Sequence, residues 1–193
     1  MVPLAGQHDP LSLLRREGGA IVADFGLAFD WAMQFENPKG IYTPVPDKCP
    51  DGHKGPCFAL SGISSAIWPI TVAEITAAPE DQRPQLVEIF YRVNYWSKWL
   101  EQFSVQMLAN SVFDMKINAG PSVAVQLLQR LVGATQDGIL GPQTVAAVNR
   151  ANPKNVVSDY AKVRCLYYDG IDGSPADHAS WTRRAMATCE ATS

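Results

Sequence analysis

The amino-acid sequence predicts an all-α protein. Segments with helical hydrophobic periodicity follow one another, Pro and Gly residues separate them, and no segment alternates cleanly with period two over a useful length. The chain has 193 residues, of which 47% are hydrophobic and 18% charged, so it can form a substantial core as one domain or as two small lobes.

The first helix is expected to begin at Phe25. From Phe25 to Met33 the apolar residues recur at i, i+3, i+4, i+7 and i+8, which places them on one helix face. Pro38 ends this helix, because proline cannot continue the hydrogen-bond ladder. Residues 37–60 are rich in Pro and Gly and predict a long loop, and loops of this length are usually functional or disordered.

The rest of the chain predicts a series of helices. The pairs Gly120-Pro121 and Gly141-Pro142 mark two of the boundaries, because Gly favours a helix C-terminus and Pro fits a first turn. We expect short helical pieces at 63–67 and 71–77, a helix that begins at Gly141-Pro142, and longer helices at 84–99, 104–119, 122–132, 156–168 and 177–189.

The charge and hydropathy of the chain argue against two classes of function. The formal net charge is -3 and no basic block is present, so we expect no nucleic-acid partner. No apolar run approaches the ~20 residues needed to cross a bilayer. Residues 1–23 form an N-terminal extension without the pattern of a signal peptide.

The four cysteines are compatible with two disulfide bonds. Local pairing joins Cys49 to Cys57 and Cys165 to Cys189. Metal binding is the rival interpretation, but neither a Cys-x-x-Cys nor a His-x-x-x-His spacing is present, and we expect no metal. Four reduced thiols are the other alternative, because the sequence does not determine the redox state.

One carboxylate lies where the first helix should present an apolar side chain. Glu36 follows Phe25 by 11 positions, so it falls on the same face at the C-terminal end of the helix. The helix dipole and partial burial both disfavour the ionised carboxylate at that end. A carboxyl group that keeps its proton near neutral pH suits the general acid of a glycosidase. The alternative is a frayed helix end with Glu36 in solvent.

Several motifs follow Glu36 in a definite order. They are Gly-Ile-Ser at 62–64 with Pro69, Tyr-Arg-x-x-Tyr-Trp at 91–96, Phe-Asp-x-x-x-Asn-x-Gly at 113–120, Leu-Gln-Arg at 128–130, and Asp-Gly-x-x-Gly-Pro-x-Thr at 137–144. Together with the helix from Phe25 to Glu36 they resemble glycoside hydrolase family 108, the lysozyme-like muramidases of phage endolysins and some secretion systems. The resemblance covers roughly residues 25–168.

This resemblance implies a lysozyme-like helical fold in two parts. Residues 24–120 would form the catalytic lobe, and residues 121–193 a small helical peptidoglycan-binding lobe. Glu36 would be the catalytic acid, acting on peptidoglycan glycan strands without a cofactor. The protein departs from the family after Glu36, where Asn37-Pro38-Lys39-Gly40 replaces two glycines.

The second catalytic group is therefore left open. Asp47 and Asp51 are the loop carboxylates that could position a water molecule or stabilise a sugar cation, with Ser61 or His53 as other polar options. For each of them the alternative is a solvated loop side chain.

Four residues are candidate sugar contacts, namely Ser61, Tyr95, Asp114 and Asn118. Asp114 and Asn118 share one helix face, where they could bind sugar hydroxyl or N-acetyl groups or instead brace a neighbouring segment. Tyr95 is included because aromatic rings stack on sugars, whereas the nearby Trp96 is expected in the core.

We interpret the protein as a monomeric muramidase that cleaves the β-1,4 bond between N-acetylmuramic acid and N-acetylglucosamine. It would act in the periplasm or cell wall, delivered as a phage endolysin through a holin or as an effector through a secretion machine. Two alternatives stay open: a non-catalytic peptidoglycan-binding protein on a degenerate scaffold, and a lytic transglycosylase. The sequence identifies no immunity or secretion partner.

Overall fold

A computed structural model describes residues 23–190, so the expected N-terminal extension lies outside the described residues except for Ala23. The helices are α1 (Phe25–Glu36), α2 (Pro69–Ala77), α3 (Arg83–Tyr95), α4 (Gln106–Ala119), α5 (Pro121–Val132), α6 (Pro142–Arg150), α7 (Pro153–Asp169) and α8 (Pro175–Glu190). The strands are β1 (Val45–Asp47), β2 (Cys57–Leu60) and β3 (Ile63–Ser64).

The predominance of helix confirms the predicted fold class. The small antiparallel sheet, in the order β1-β2-β3, was not predicted. Its strands have only two to four residues, which is too short for a period-two pattern to be visible. The helical piece expected at 63–67 was wrong, because Ile63 and Ser64 pair with Leu60 and Ala59 of β2.

The chain divides into two compact units. Among the described residues, one unit is Phe25–Ser97, and the other comprises residues 98–190 together with Ala23 and Asp24. The boundary lies at Ser97, whereas the sequence suggested residue 120. The difference arises from α4, which packs against α5, α7 and α8 of the second unit.

The unit Phe25–Ser97 contains α1, the sheet, α2 and α3. The expected apolar face of α1 is buried, and its rings pack against α3 and the residue that follows it. The ring of Phe25 lies 5.6 Å from that of Trp96, and the ring of Phe29 lies 5.9 Å from that of Tyr91. Trp96 is buried, as expected. This packing fixes the end of α1, and hence Glu36, relative to α3.

The second unit is built around α4. Every residue from Met107 to Lys116 is buried, so this helix is covered on all sides. Within residues 23–190, none of the helices combines the length and the hydropathy that a bilayer span requires.

Candidate functional site

The candidate site is centred on Glu36, the last residue of α1, whose side chain is half-buried. Its carboxyl group lies directly against the backbone of Gly62. A Cβ atom added at Gly62 would lie 2.9 Å from Cδ of Glu36 and still closer to one carboxylate oxygen. Only glycine therefore leaves room for the carboxyl group in this position.

Gly62 belongs to a tight turn between β2 and β3. Leu60 pairs with Ile63, so the turn has two residues, Ser61 with φ 49° and Gly62 with φ 81°. Left-handed backbone at both positions is typical of a type I′ hairpin turn, which matches the twist of the strands. For Ser61 this conformation costs roughly 1–2 kcal/mol, so the surrounding contacts must hold it.

Three side chains hold the turn. The Tyr91 hydroxyl donates a hydrogen bond of 2.8 Å to the carbonyl of Ser61. Asn37 Nδ2 donates to Ser61 Oγ at 3.1 Å, and Ser61 Oγ donates to the carbonyl of Ile41 at 3.4 Å. Asn37 Oδ1 also accepts from the Ile41 amide at 2.8 Å. Asn37, directly after Glu36, thus connects the end of α1 to the turn against which the Glu36 carboxyl group lies.

Two tyrosine side chains of α3, Tyr91 and Tyr95, lie near the carboxyl group, and Trp68 contacts Tyr95. Burial raises the pKa of Tyr95, and the negative charge of Glu36 raises it further, while a hydrogen bond with Trp68 acts in the opposite direction. Tyr95 therefore stays an uncharged phenol beside Glu36. Its ring lies 5.8 Å from that of Tyr91, and Trp68 packs edge-on against Phe90 at 5.1 Å. We call Trp68, Tyr91 and Tyr95 the aromatic wall.

The two loop carboxylates lie away from this point. Asp47 ends β1 opposite Cys57, at the other end of β2 from the turn. Cys57 lies four residues before Ser61 in the turn, which corresponds to about 13 Å of extended strand. Asp47 is exposed and accepts a hydrogen bond from the Lys48 amide at 2.8 Å. Asp51 is exposed in the turn beyond β1, and the catalytic role of either residue stays a prediction.

The predicted bridge between Cys49 and Cys57 is present, with the Cα atoms 5.3 Å apart. The predicted bridge between Cys165 and Cys189 is not formed. These two residues lie on the neighbouring helices α7 and α8, and burial raises the pKa of each thiol. A raised pKa keeps the thiol protonated and disfavours the thiolate that disulfide formation requires.

The predicted sugar contact of Asp114 was wrong. Its side chain is 0% exposed, and it accepts hydrogen bonds from Arg164 Nη2 at 2.6 Å and from Arg184 Nε at 2.8 Å. A buried carboxylate with both oxygens paired cannot reach a ligand, and here it ties α4 to α7 and α8. Asn118, one turn further along α4, is half-buried, and its role stays a prediction.

Ser61, another predicted sugar contact, is 6% exposed, and its hydroxyl is engaged with Asn37 and Ile41. Gly62 and Trp68 were not among the candidates. The Gly-Ile-Ser motif was a signal for Gly62. The sequence around Trp68 does not indicate a site residue, because Trp68 is placed there by its packing against Phe90 of α3.

The Asp-Gly-x-x-Gly-Pro-x-Thr motif forms a braced turn. The side chain of buried Gln129 donates from Nε2 to Asp137 Oδ1 at 2.7 Å and to Thr144 Oγ1 at 3.1 Å, and its Oε1 accepts from the Gly138 amide at 2.9 Å. These hydrogen bonds join α5 to the start of α6 and satisfy the buried amide. The motif therefore stabilises the second unit, as the turn chemistry indicated.

Residues 123–185, from α5 into α8, match the family described as "Predicted Peptidoglycan domain". This match associates the second unit with peptidoglycan. None of the curated proteins is significantly similar to this chain in sequence.

The fold is similar to that of SagA from Brucella abortus, with a TM-score of 0.65 over 87% of this chain and 92% of that chain. The two sequences are 23% identical, so the likeness is one of fold.

Proposed function

We propose that the protein is a glycosidase of the cell wall, an N-acetylmuramidase with Glu36 as its proton donor. The observation that carries the proposal is the Glu36 carboxyl group, half-buried at a helix end, pressed against the Gly62 turn and bordered by the aromatic wall. The match of residues 123–185 to a peptidoglycan family supports the choice of substrate. The resemblance to glycoside hydrolase family 108 supports cleavage of the β-1,4 bond between N-acetylmuramic acid and N-acetylglucosamine.

In the proposed reaction Glu36 donates its proton to the glycosidic oxygen as the bond to the leaving sugar breaks. The exposed backbone of Gly62 allows a glycan strand to approach the carboxyl group closely. Tyr95 and Trp68 are both half-buried, so each presents ring surface on which a sugar can pack.

The position of Asp47 favours a reaction with a single protein carboxyl group. Inverting enzymes hold their two carboxyl groups ~6.5–9.5 Å apart, and retaining enzymes hold them closer. The backbone separation of about 13 Å between Ser61 of the turn and Cys57, the strand partner of Asp47, is longer than either distance. This observation favours a second candidate, a lytic transglycosylase, in which the substrate supplies the internal nucleophile. The two reactions differ in product, because hydrolysis leaves a reducing end and transglycosylation leaves an anhydro sugar.

The test is digestion of purified peptidoglycan by Glu36→Gln, with Asp47→Asn as the matched control. Removing a general acid typically costs ~10²–10⁴-fold in rate, so Glu36→Gln should lose at least ~10²-fold. It should still bind sedimented cell walls, and Asp47→Asn should keep most of its activity. Mass spectrometry of the released fragments separates the two reactions.

Unchanged digestion by Glu36→Gln would overturn the catalytic assignment. Binding without any digestion by the unaltered protein would instead favour a non-catalytic peptidoglycan-binding protein. We further propose that the protein acts as a monomer in the periplasm or cell wall, as an endolysin or a secreted effector.

A further inference from the structure

The exposed loop between β1 and β2 brings three metal-ligating side chains together. Cys49, His53 and Cys57 follow one another at intervals of four residues, and one ligand atom from each lies within 4.8 Å of the others. Cys57 is buried, Cys49 half-buried and His53 exposed. In the described state the two sulfurs are bonded to each other, so they are not available to a metal.

Reduction of this disulfide would leave its two cysteines close together. Cys57 stays paired with Asp47 in the sheet, and Asp47 is only two residues before Cys49. The turn that follows is closed by a hydrogen bond of 3.0 Å from the His53 amide to the carbonyl of Pro50. The backbone therefore holds all three ligands without the covalent bridge.

The spacing of these ligands suits a small tetrahedral ion. With Zn–S near ~2.3 Å and Zn–N near ~2.0–2.1 Å, tetrahedral ligand atoms lie about 3.5–3.8 Å apart. Reaching that arrangement from the observed cluster requires the two sulfurs to separate after reduction and the exposed His53 side chain to rotate toward them. The flanking Asp47 and Asp51 balance Lys48 and Lys54 in charge, so two thiolates would neutralise one divalent cation.

We propose that this loop is a redox-gated zinc site. A dithiol reductant becomes a disulfide and passes two electrons and two protons to Cys49 and Cys57, which become thiols. Zn²⁺ then binds both sulfurs and the His53 imidazole, the two thiol protons are released, and water takes the fourth position. The site does not depend on the proposed catalysis, because Glu36 lies at the opposite end of β2.

The test uses the full chain with Cys165→Ser and Cys189→Ser, so that only the loop thiols can bind metal. The protein is reduced with a dithiol, desalted without oxygen and titrated with Co²⁺, whose thiolate charge-transfer and tetrahedral visible absorption report the ligands. We expect one Co²⁺ per reduced chain, displaced by Zn²⁺, and no such absorption in the oxidised chain.

Two variants in the same loop test the histidine. His53→Ala should weaken Zn²⁺ binding at least ~10-fold, since even outer-shell substitutions cost ~10–100-fold, and Lys54→Ala should change it less than twofold. Circular dichroism checks that both variants keep their helix content. Absence of the Co²⁺ absorption, its persistence after Cys49→Ser with Cys57→Ser, or equal affinities of the two variants would overturn the proposal.

Discussion

Replacing Gly62 by Ala should disable the proposed site without unfolding the protein. A Cβ atom at this position would lie 2.9 Å from Cδ of Glu36, whereas carbon atoms in contact are separated by about 3.5 Å or more. The carboxyl carbon must therefore retreat by at least about 0.6 Å and its nearer oxygen by more, and the Tyr91 hydroxyl, 2.7 Å from the same Cβ atom, must shift as well. Misplacement of a catalytic group by 1 Å can cost ~10²-fold in rate, which is the loss we expect.

Gly52 provides a matched control for this substitution. Its φ is 80°, against 81° for Gly62, so alanine meets the same left-handed strain of roughly 1–2 kcal/mol at either position. Among the described residues nothing lies within 4 Å of a Cβ atom at Gly52. We would measure the release of soluble fragments from purified peptidoglycan, together with urea unfolding. Equal rates for Gly62→Ala and Gly52→Ala would refute the idea that activity depends on the position of Glu36 over the turn.

Two further predictions concern the second unit. Asp114→Asn leaves the fully buried Arg164 without its counter-charge, and we expect a loss of about 3–5 kcal/mol in unfolding free energy. As a control, Asp159→Asn, which breaks an exposed ion pair with Lys162, should show no measurable loss of unfolding free energy. If Asp114→Asn instead bound peptidoglycan less well at unchanged stability, Asp114 would again be a candidate sugar contact. Burial lowers the pKa of Lys116 from 10.5 to about 8, so the folded protein releases this proton at lower pH than the unfolded chain. Between pH 8 and 10.5 the unfolding free energy should therefore rise relative to that of Lys116→Met, by up to about 3 kcal/mol as measured by urea unfolding. A difference between the two proteins that does not change with pH would contradict the lowered pKa of Lys116.

The predictions for Glu36 and Asp114 show how far local sequence reasoning reaches. Helical spacing placed Glu36 at the inward end of α1, and that placement needed only residues within the same helix. The same reasoning put Asp114 and Asn118 on one face of α4 but could not identify what that face contacts. The partners of Asp114 are Arg164 and Arg184, which lie 50 and 70 residues further along the chain.

Turn and cap chemistry was equally accessible from the sequence. The Asp137-Gly138 turn and the helix that begins at Pro142 follow from residue types within a few positions of each other. The bridge from Cys49 to Cys57 is also local, and it was predicted correctly.

The sequence by itself determined the helical class, the helix limits set by Gly and Pro, and the position of one carboxyl group at the end of α1. These features depend on backbone preferences and on neighbours within about one or two helical turns. Only the tertiary structure decided that Glu36 lies on the Gly62 turn, that Tyr91 and Asn37 hold this turn, and that Asp114 is buried between two arginines. Those contacts join distant segments, and their geometry arises from how the helices and the sheet pack.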